Sequence, residues 1–280
     1  MARPDPALRA PKPLAAPVPP TPSLRPLPSH VDEQEHELAV RNRQFFDGYW
    51  RRGRQERDRL WRAWWHEAYE QLLTFAGPLN GKRVVNLFAG LGEDAAMLKE
   101  RGAKVIAVDF SLPGLKQAAR EASTPDNPRM LCADATQLPI ASHSVDLVMA
   151  INGLCHTPKA EVLAEGRRLL KPGGKLLLLE VMRYPHLAML ARFLEPYRWR
   201  APHKFLSVRE LEELTKDFAF VRHQQYFVLS VFSAMLLRLP LGPKLFLPLH
   251  RLLIAADRPL LRWFPWLRHV SYLCVAEMRP

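Results

Sequence analysis

Val84 to Asp109 reads VVNLFAGLGEDAAMLKERGAKVIAVD, and the fold turns on how that stretch is interpreted. An apolar run (Val84, Val85, Leu87) leads into a tight glycine turn, Gly90-Leu91-Gly92, and then a helix-like segment opening on Glu93 and Asp94. A second apolar run, Val105-Ile106-Ala107-Val108, ends on the carboxylate of Asp109. Strand, glycine turn, helix and second strand make one βαβ unit with parallel strands. Its chemistry is concentrated at the turn. Glycines let the backbone approach a ligand, N–H groups at the helix start can hold a carboxylate, and an acid ending the second strand can take ribose hydroxyls.

Such a unit serves either a dinucleotide or S-adenosylmethionine (SAM). The dinucleotide fingerprint G-x-G-x-x-G puts Ala95 at its third glycine, so the glycines alone do not choose. The continuation does. Asp134 stands in LCADATQLPI, Asp146 opens a strand in SHSVDLVMAINGLCH, and a helical stretch runs into RRLLKPGGKLLLLEV. From Gly81 to Val181 this ordered set resembles the class I SAM-dependent methyltransferases, in particular the small-molecule group that includes the quinone methyltransferases. The resemblance implies an α/β, Rossmann-like fold: a mostly parallel seven-stranded sheet with helices on both faces.

The apolar runs place strands at about Arg83–Phe88, Lys104–Val108, Met130–Ala133, Val145–Ile151 and Lys175–Val181. Helices are expected at Glu93–Arg101, Pro113–Glu121 and Lys159–Leu170, with Lys171-Pro172-Gly173-Gly174 as a turn. Alternating strands and helices argue a parallel sheet covered on both faces, whose ligands bind at the carboxyl ends of the strands. Gly90, Asp109, Asp134 and Asn152 all fall at those ends.

The resemblance also implies roles. Phe88, Ala89, Gly90 and Gly92 would form the turn beside the methionine part of SAM. Asp109, followed by Phe110, would hold the ribose diol, and Asp134 would accept from the adenine amino group with Ala135 beside the ring. Asn152 would orient the substrate or the SAM carboxylate, while Tyr49 or Trp50 would line the pocket from the N-terminal side. His156, just beyond the fourth strand, is the candidate base because imidazole titrates near neutrality; the competing role is to order its loop. Tyr184 and His203 are weaker candidates, and Cys155 has no evident activating partner. Two positions depart from the family pattern. Asn86 stands where an acid is usual, and Phe88 where a glycine is usual, although a Leu-Phe-Ala-Gly turn also occurs among related nucleic-acid methyltransferases. The missing charge at Asn86 is expected to lower cofactor affinity without abolishing it.

At 280 residues the chain suits one large domain with extensions, or at most two domains. Residues 1–30 carry ten of the 26 prolines and no periodic apolar face, so a disordered tail is expected there, with no signal-peptide core. A helical cap is expected over 31–80, opening on an Asp32–Glu35 capping pair and interrupted near Gly48 and Gly53. It resumes through Leu60, Trp61, Trp64, Trp65, Ala68 and Leu72 and stops at Gly77-Pro78. The SAM-binding domain is then 81–280. Three widely spaced cysteines (Cys132, Cys155, Cys274) read as reduced thiols of a cytoplasmic protein, with no metal site.

Ser207 is expected to cap a helix through Leu214, followed by two antiparallel strands near Ala219–Phe227 and Val270–Glu277. Between them, about 229–268, lies an apolar helical insertion rich in leucine, with Trp263, Phe264 and Trp266 among Arg238, Arg251, Arg258, Arg262 and Arg268. No uncharged run reaches the roughly 18–20 residues that span a bilayer. The insertion can pack on the core, cover a lipophilic substrate, or lie at the inner face of the membrane. Net charge of +12 fits an anionic neighbour. The leading expectation is methyl transfer to oxygen or carbon of a small lipophilic acceptor. An RNA or protein methyltransferase and a non-catalytic SAM-fold binding protein are the alternatives. Against nucleic acid, the fourth strand ends Ala-Ile-Asn-Gly, not Asn-Pro-Pro-aromatic, and no RNA-binding module is evident.

Overall fold

The computed structural model describes residues 33–51, 64–122, 128–183, 204–238 and 242–280. The proline-rich tail, the Asp32–Glu35 cap, Leu60, Trp61, Tyr184, His203 and the side chain of Arg238 lie outside the described parts. Helices α1 (Glu33–Trp50) and α2 (His66–Ala76) precede the sheet. Then follow β1 (Arg83–Leu87), α3 (Glu93–Glu100), β2 (Lys104–Asp109), α4 (Leu112–Glu121), β3 (Arg129–Cys132) and β4 (Val145–Ile151). A 3-10 turn (Leu154–His156), α5 (Lys159–Leu169), β5 (Leu170–Val181), α6 (Val208–Leu214) and β6 (Phe220–Tyr226) come next. A 3-10 segment (Ser230–Arg238), α7 (Gly242–Trp263) and a second 3-10 segment (Pro265–Val270) form the insertion before β7 (Leu273–Arg279).

The seven strands lie in the order β3-β2-β1-β4-β5-β7-β6. All are parallel except β7, which runs antiparallel between β5 and β6. Strand periodicity sorts the core into two layers. Val84, Val105, Ala107, Met149, Leu177 and Val275 face the layer holding Leu72 of α2, Leu98 of α3 and Leu115 of α4. Their neighbours Val85, Val108, Val148, Leu178 and Ala276 face Val162 and Leu163 of α5 and Leu211 of α6. Sheet order reverses between β1 and β4, so a crevice opens where those two strands end.

Three boundaries differ from the sequence expectation. Helix α1 runs through Gly48 to Trp50, because tertiary contacts at Asp47 and Trp50 outweigh the roughly 1 kcal/mol that a mid-helix glycine costs. Strand β5 starts at Leu170, paired with Val145, while Lys175 pairs with Leu147. Lys171 to Gly174 is therefore an extruded bulge inside the strand, which Gly173 permits with φ +77°. Strand β7 starts at Leu273 because residues up to Val270 are held in the 3-10 segment. Ser207 does cap α6, in a reciprocal capping box with Glu210.

The insertion is latched to the sheet by polar groups. Asp257 of α7 is buried, and its carboxylate accepts from the N–H groups of Val228 (3.1 Å), Leu229 (2.7 Å) and Ser230 (3.2 Å) and from the Ser230 hydroxyl. One turn earlier but one, His250 donates from Nε2 to the carbonyl of Trp64 at 3.0 Å. Asp257→Ala would leave the Val228, Leu229 and Ser230 N–H groups and the buried Ser230 hydroxyl without their acceptor at the end of β6. A loss of about 3 kcal/mol is expected from equilibrium urea unfolding, whereas a change below about 0.5 kcal/mol would show that the latch is dispensable.

Candidate functional site

Asp109 ends β2 and is 6% exposed. Its Oδ2 accepts from Gly90 N (2.8 Å) and its Oδ1 from Ser111 N (2.8 Å), so one carboxylate ties the glycine turn to the start of α4. Burial pushes its pKa up to about 6 despite these donors, and the nearby Asp47 carboxylate adds to the rise. Asp47 itself accepts from the Ser111 hydroxyl at 2.6 Å, which brings the end of α1 onto the site. Trp50, one helical turn on, lies against the turn: a Cβ at Gly90 would stand 2.8 Å from the indole Cζ2. Gly90 is required there by close approach as well as by its φ of +51°.

The opposite wall is the end of β4. Asn152 has φ +50° and Phe88 has φ +59°, both uncommon for residues with a side chain. The Phe88 ring wedges over Gly153, where a Cβ would meet its Cγ at 2.1 Å. A glycine at position 88 would adopt this conformation freely; phenylalanine holds it at a cost of order 1 kcal/mol or more and gains an aromatic wall. His156 follows in the 3-10 turn, its ring edge-on to Phe46 of α1 at 4.9 Å. The Asn42 amide donates to the His156 carbonyl at 3.1 Å, a second anchor between α1 and this loop.

Together these elements line a cleft of about 150 Å³. Its walls are Phe46, Trp50, Trp65, Tyr69, Phe88 and Phe110, with Ala89, Gly90, Leu91, Ile151, Asn152, Gly153 and His156. Among the described residues, Glu93, Asp94 and Asp109 are its carboxylates, and no lysine or arginine lines it. Phe88, Ala89, Gly90, Asp109, Phe110, Asn152 and His156, all candidates from the sequence, thus line one cleft, and Trp50 lines it with them. The other expected residues stand elsewhere. Tyr49 stacks on Phe45 along α1, off the wall. Gly92 backs onto Ala118 of α4 with φ +77°. Asn86 is wholly buried behind the turn, its amide donating weakly to Leu87 O and its Oδ1 unpartnered among the described residues. Asp134 is exposed, its Oδ1 accepting from Thr136 N (2.9 Å) and Oγ1 (2.8 Å) as a turn former, and Ala135 is buried in the other core layer. A groove of about 490 Å³ lies at the opposite end of the strands, beside Arg83, Lys104 and Arg129, far from this chemistry.

Glu180 is a buried carboxylate beside the cleft that the motifs do not flag. It ends the apolar run of β5, 1% exposed, and its Oε1 accepts from Gly153 N and Leu154 N, each at 2.9 Å. The Cys155 N–H adds a third bond. Glu180 therefore holds the backbone that carries Asn152 and His156. The detectable signal is a lone carboxylate closing an otherwise apolar strand.

A mostly parallel, doubly covered sheet of order 3-2-1-4-5-7-6 is consistent with the class I methyltransferase fold. Residues 86–178 match the family described as a methyltransferase domain. Over 129 residues the chain is 35% identical to the demethylmenaquinone methyltransferase of Clavibacter sepedonicus, covering 46% of this chain and 50% of that protein. Over 103 residues it is 41% identical to the demethylmenaquinone methyltransferase of Thermus thermophilus, covering 35% and 47%. The chain thus spans about half the length of the curated relatives it matches. Among solved structures, a Haloferax volcanii methyltransferase complexed with the Trm112 activator aligns with TM-score 0.59 at 21% identity, covering 84% and 97%. The geranyl diphosphate C-methyltransferase of Streptomyces coelicolor aligns with TM-score 0.55 at 14% identity, covering 90% and 85%. These structural likenesses establish the fold.

Burial pushes Glu180 from an ordinary 4.5 up to about 7, overcoming the N–H donors that pull it down. The folded chain then keeps a proton that the unfolded chain has released, so this group's contribution is full below pH about 4.5 and is lost as pH rises towards 7. Asp109 acts in the same direction between about 3.8 and 6. Glu180→Gln should flatten the fall in stability between pH 5 and 7, leaving the Asp109 share below pH 6. Thermal unfolding followed across that range checks it; an unchanged slope would mean Glu180 stays ionised when folded.

Proposed function

We propose that this protein transfers the methyl group of SAM to oxygen or carbon of a small lipophilic acceptor. The observation that carries the reading is the charge of the cleft, which among the described residues is lined by three carboxylates, no lysine or arginine, and six aromatic side chains. SAM is a cation at sulfur, so acidic and aromatic walls attract it, whereas an anionic dinucleotide would be repelled. The glycine cradle supports the fit, since close backbone approach is already used there by the Trp50 indole.

In this reading 31–80 caps the cleft and 81–280 is the transfer domain. Gly90 and its neighbours Phe88 and Ala89 receive the methionine part, and the remaining lone pairs of Asp109 accept the ribose hydroxyls beside Phe110. Asn152 orients the bound groups. The unpartnered Asn86 oxygen is an acceptor without charge behind the turn. Asp134 and Ala135 would reach the adenine only past the present wall. When bound, SAM supplies an electrophilic methyl on a sulfonium. His156 takes the proton of the acceptor, and the aromatic rings exclude water and favour the cationic ground and transition states. The cleft is smaller than the roughly 300–1,000 Å³ usual for ligands of this size, so Trp50 and the end of α1 must swing outward on entry. The lipophilic walls, and the insertion as a peripheral contact to the inner face of the membrane, favour a lipid-soluble acceptor. The demethylmenaquinone methyltransferases support a quinone-like one.

Calorimetric titration with SAM and S-adenosylhomocysteine tests the reading. Micromolar binding is expected, weakened about 100-fold by Asp109→Ala from the loss of two charge-assisted hydrogen bonds worth ~3 kcal/mol together. Affinity for SAM should also fall below pH about 6 as Asp109 protonates. If the folded wild type binds neither ligand, the proposal fails at its base.

A further inference from the structure

The insertion carries a second surface. Along α7 the buried positions Phe246, His250, Ile254 and Asp257 recur at spacings of four, four and three, a stripe that faces the core. The solvent side of the same helix is divided. Leu245, Leu249, Leu252 and Trp263 recur at four, three and eleven residues and form one exposed apolar row. Arg251, Arg258 and Arg262, at seven and four, form an exposed row beside it. Leu245 is 56% exposed, Leu252 68%, Trp263 72% and, in the following 3-10 segment, Trp266 63%. Phe264 continues the patch.

Charge is equally one-sided. From 242 to 270 the sequence has one lysine, four arginines and a single acid, Asp257, whose carboxylate is buried in the latch to residues 228–230. Arg258 pairs with Glu67 and Arg268 with Glu212 at the edges, while Arg251 and Arg262 have no carboxylate partner among the described residues. Leucines and tryptophans this exposed are out of place on a solvated face. Beside an arginine row they match a bilayer surface: apolar side chains enter the acyl boundary, tryptophan sits at headgroup level, and arginines reach back to phosphates. Pro248 and Pro259, eleven residues apart, lie on this outer side as well. No described helix is long and apolar enough to cross a membrane, so α7 would lie in the plane of the surface.

We propose that the outer face of α7 and the 3-10 segment after it docks on a bilayer rich in anionic lipid. The proposal deepens the peripheral-contact reading above and rests on it, but its binding test does not depend on methyl transfer. The inner stripe gives docking a route to the cleft. His250 holds the Trp64 carbonyl, Phe246 stacks on His250, and the next residue in the chain, Trp65, is a cleft wall. A lipid-soluble acceptor would thus be met by the helix that supports the cleft.

The test is co-sedimentation of the full chain with sucrose-loaded vesicles of phosphatidylcholine, alone or with about one third phosphatidylglycerol, and analytical ultracentrifugation without lipid. Partitioning should be at least tenfold stronger onto the anionic vesicles, since each arginine near such a surface contributes roughly fivefold. The double variant Leu252→Glu/Trp263→Glu should lose tenfold or more on both vesicle types. Arg251→Glu/Arg262→Glu should lose only the anionic preference. Both variants alter exposed side chains, and their circular dichroism and S-adenosylhomocysteine binding should match the wild type. Absent vesicle binding, equal binding to both compositions, or a lipid-free dimer broken by Leu252→Glu/Trp263→Glu would each overturn the proposal. Vesicle binding by a chain that binds no S-adenosylhomocysteine would uphold docking and sink the methyl-transfer reading alone.

Discussion

One buried carboxylate organises the working end of this molecule. Asp109 has little water to solvate it, so it is stabilised by what the fold brings to it: the N–H of Gly90 from the β1 turn and those of Phe110 and Ser111 leading into α4. Those bonds fix the turn and α4 on the same anchor. Because they occupy only part of the carboxylate's acceptor capacity, they leave lone pairs for ligand hydroxyls. Burial, with the Asp47 carboxylate nearby, raises its pKa to about 6 because the protein replaces water incompletely. A ligand that adds donors or positive charge would complete the solvation.

A second buried carboxylate repeats this device across the crevice. Glu180 gathers the N–H groups of residues 153–155 and so sets the loop bearing His156, as Asp109 sets the glycine turn. Helix α1 then bridges the two walls: Asp47 to Ser111 on one side, Asn42 and Phe46 to the His156 loop on the other. Hydrogen bonds at both walls make α1 a strap across the cleft. The insertion supports the same region from behind, with His250 on Trp64.

Much of this was legible in the sequence because it is local. Continuous apolar runs place the parallel strands, and an acid or asparagine at their ends marks the carboxyl edge. The positive φ of Phe88 explains why glycine is usual there, and the wedge over Gly153 explains how this chain manages without it. What escaped is non-local. Nothing near Phe46, Trp65 or Tyr69 says that they face a turn at position 90, and Gly48 reads as a break until its helix is seen anchored at Asp47. The glycine pair at 173–174 reads as a loop because the pairing of Leu170 with Val145 involves a strand 25 residues away. Asp134 shows the converse, a motif position whose carboxylate is spent on its own turn.

The account stands on a single ligand site shared by the 86–94 turn and the end of α1. Amide hydrogen exchange with and without saturating S-adenosylhomocysteine tests it most directly. Slower exchange is expected at residues 88–94, at 109–111 and in the 42–50 part of α1 together, with β6 and β7 unchanged. Protection confined to other regions, or exchange untouched by the ligand at both the turn and α1, would contradict the account.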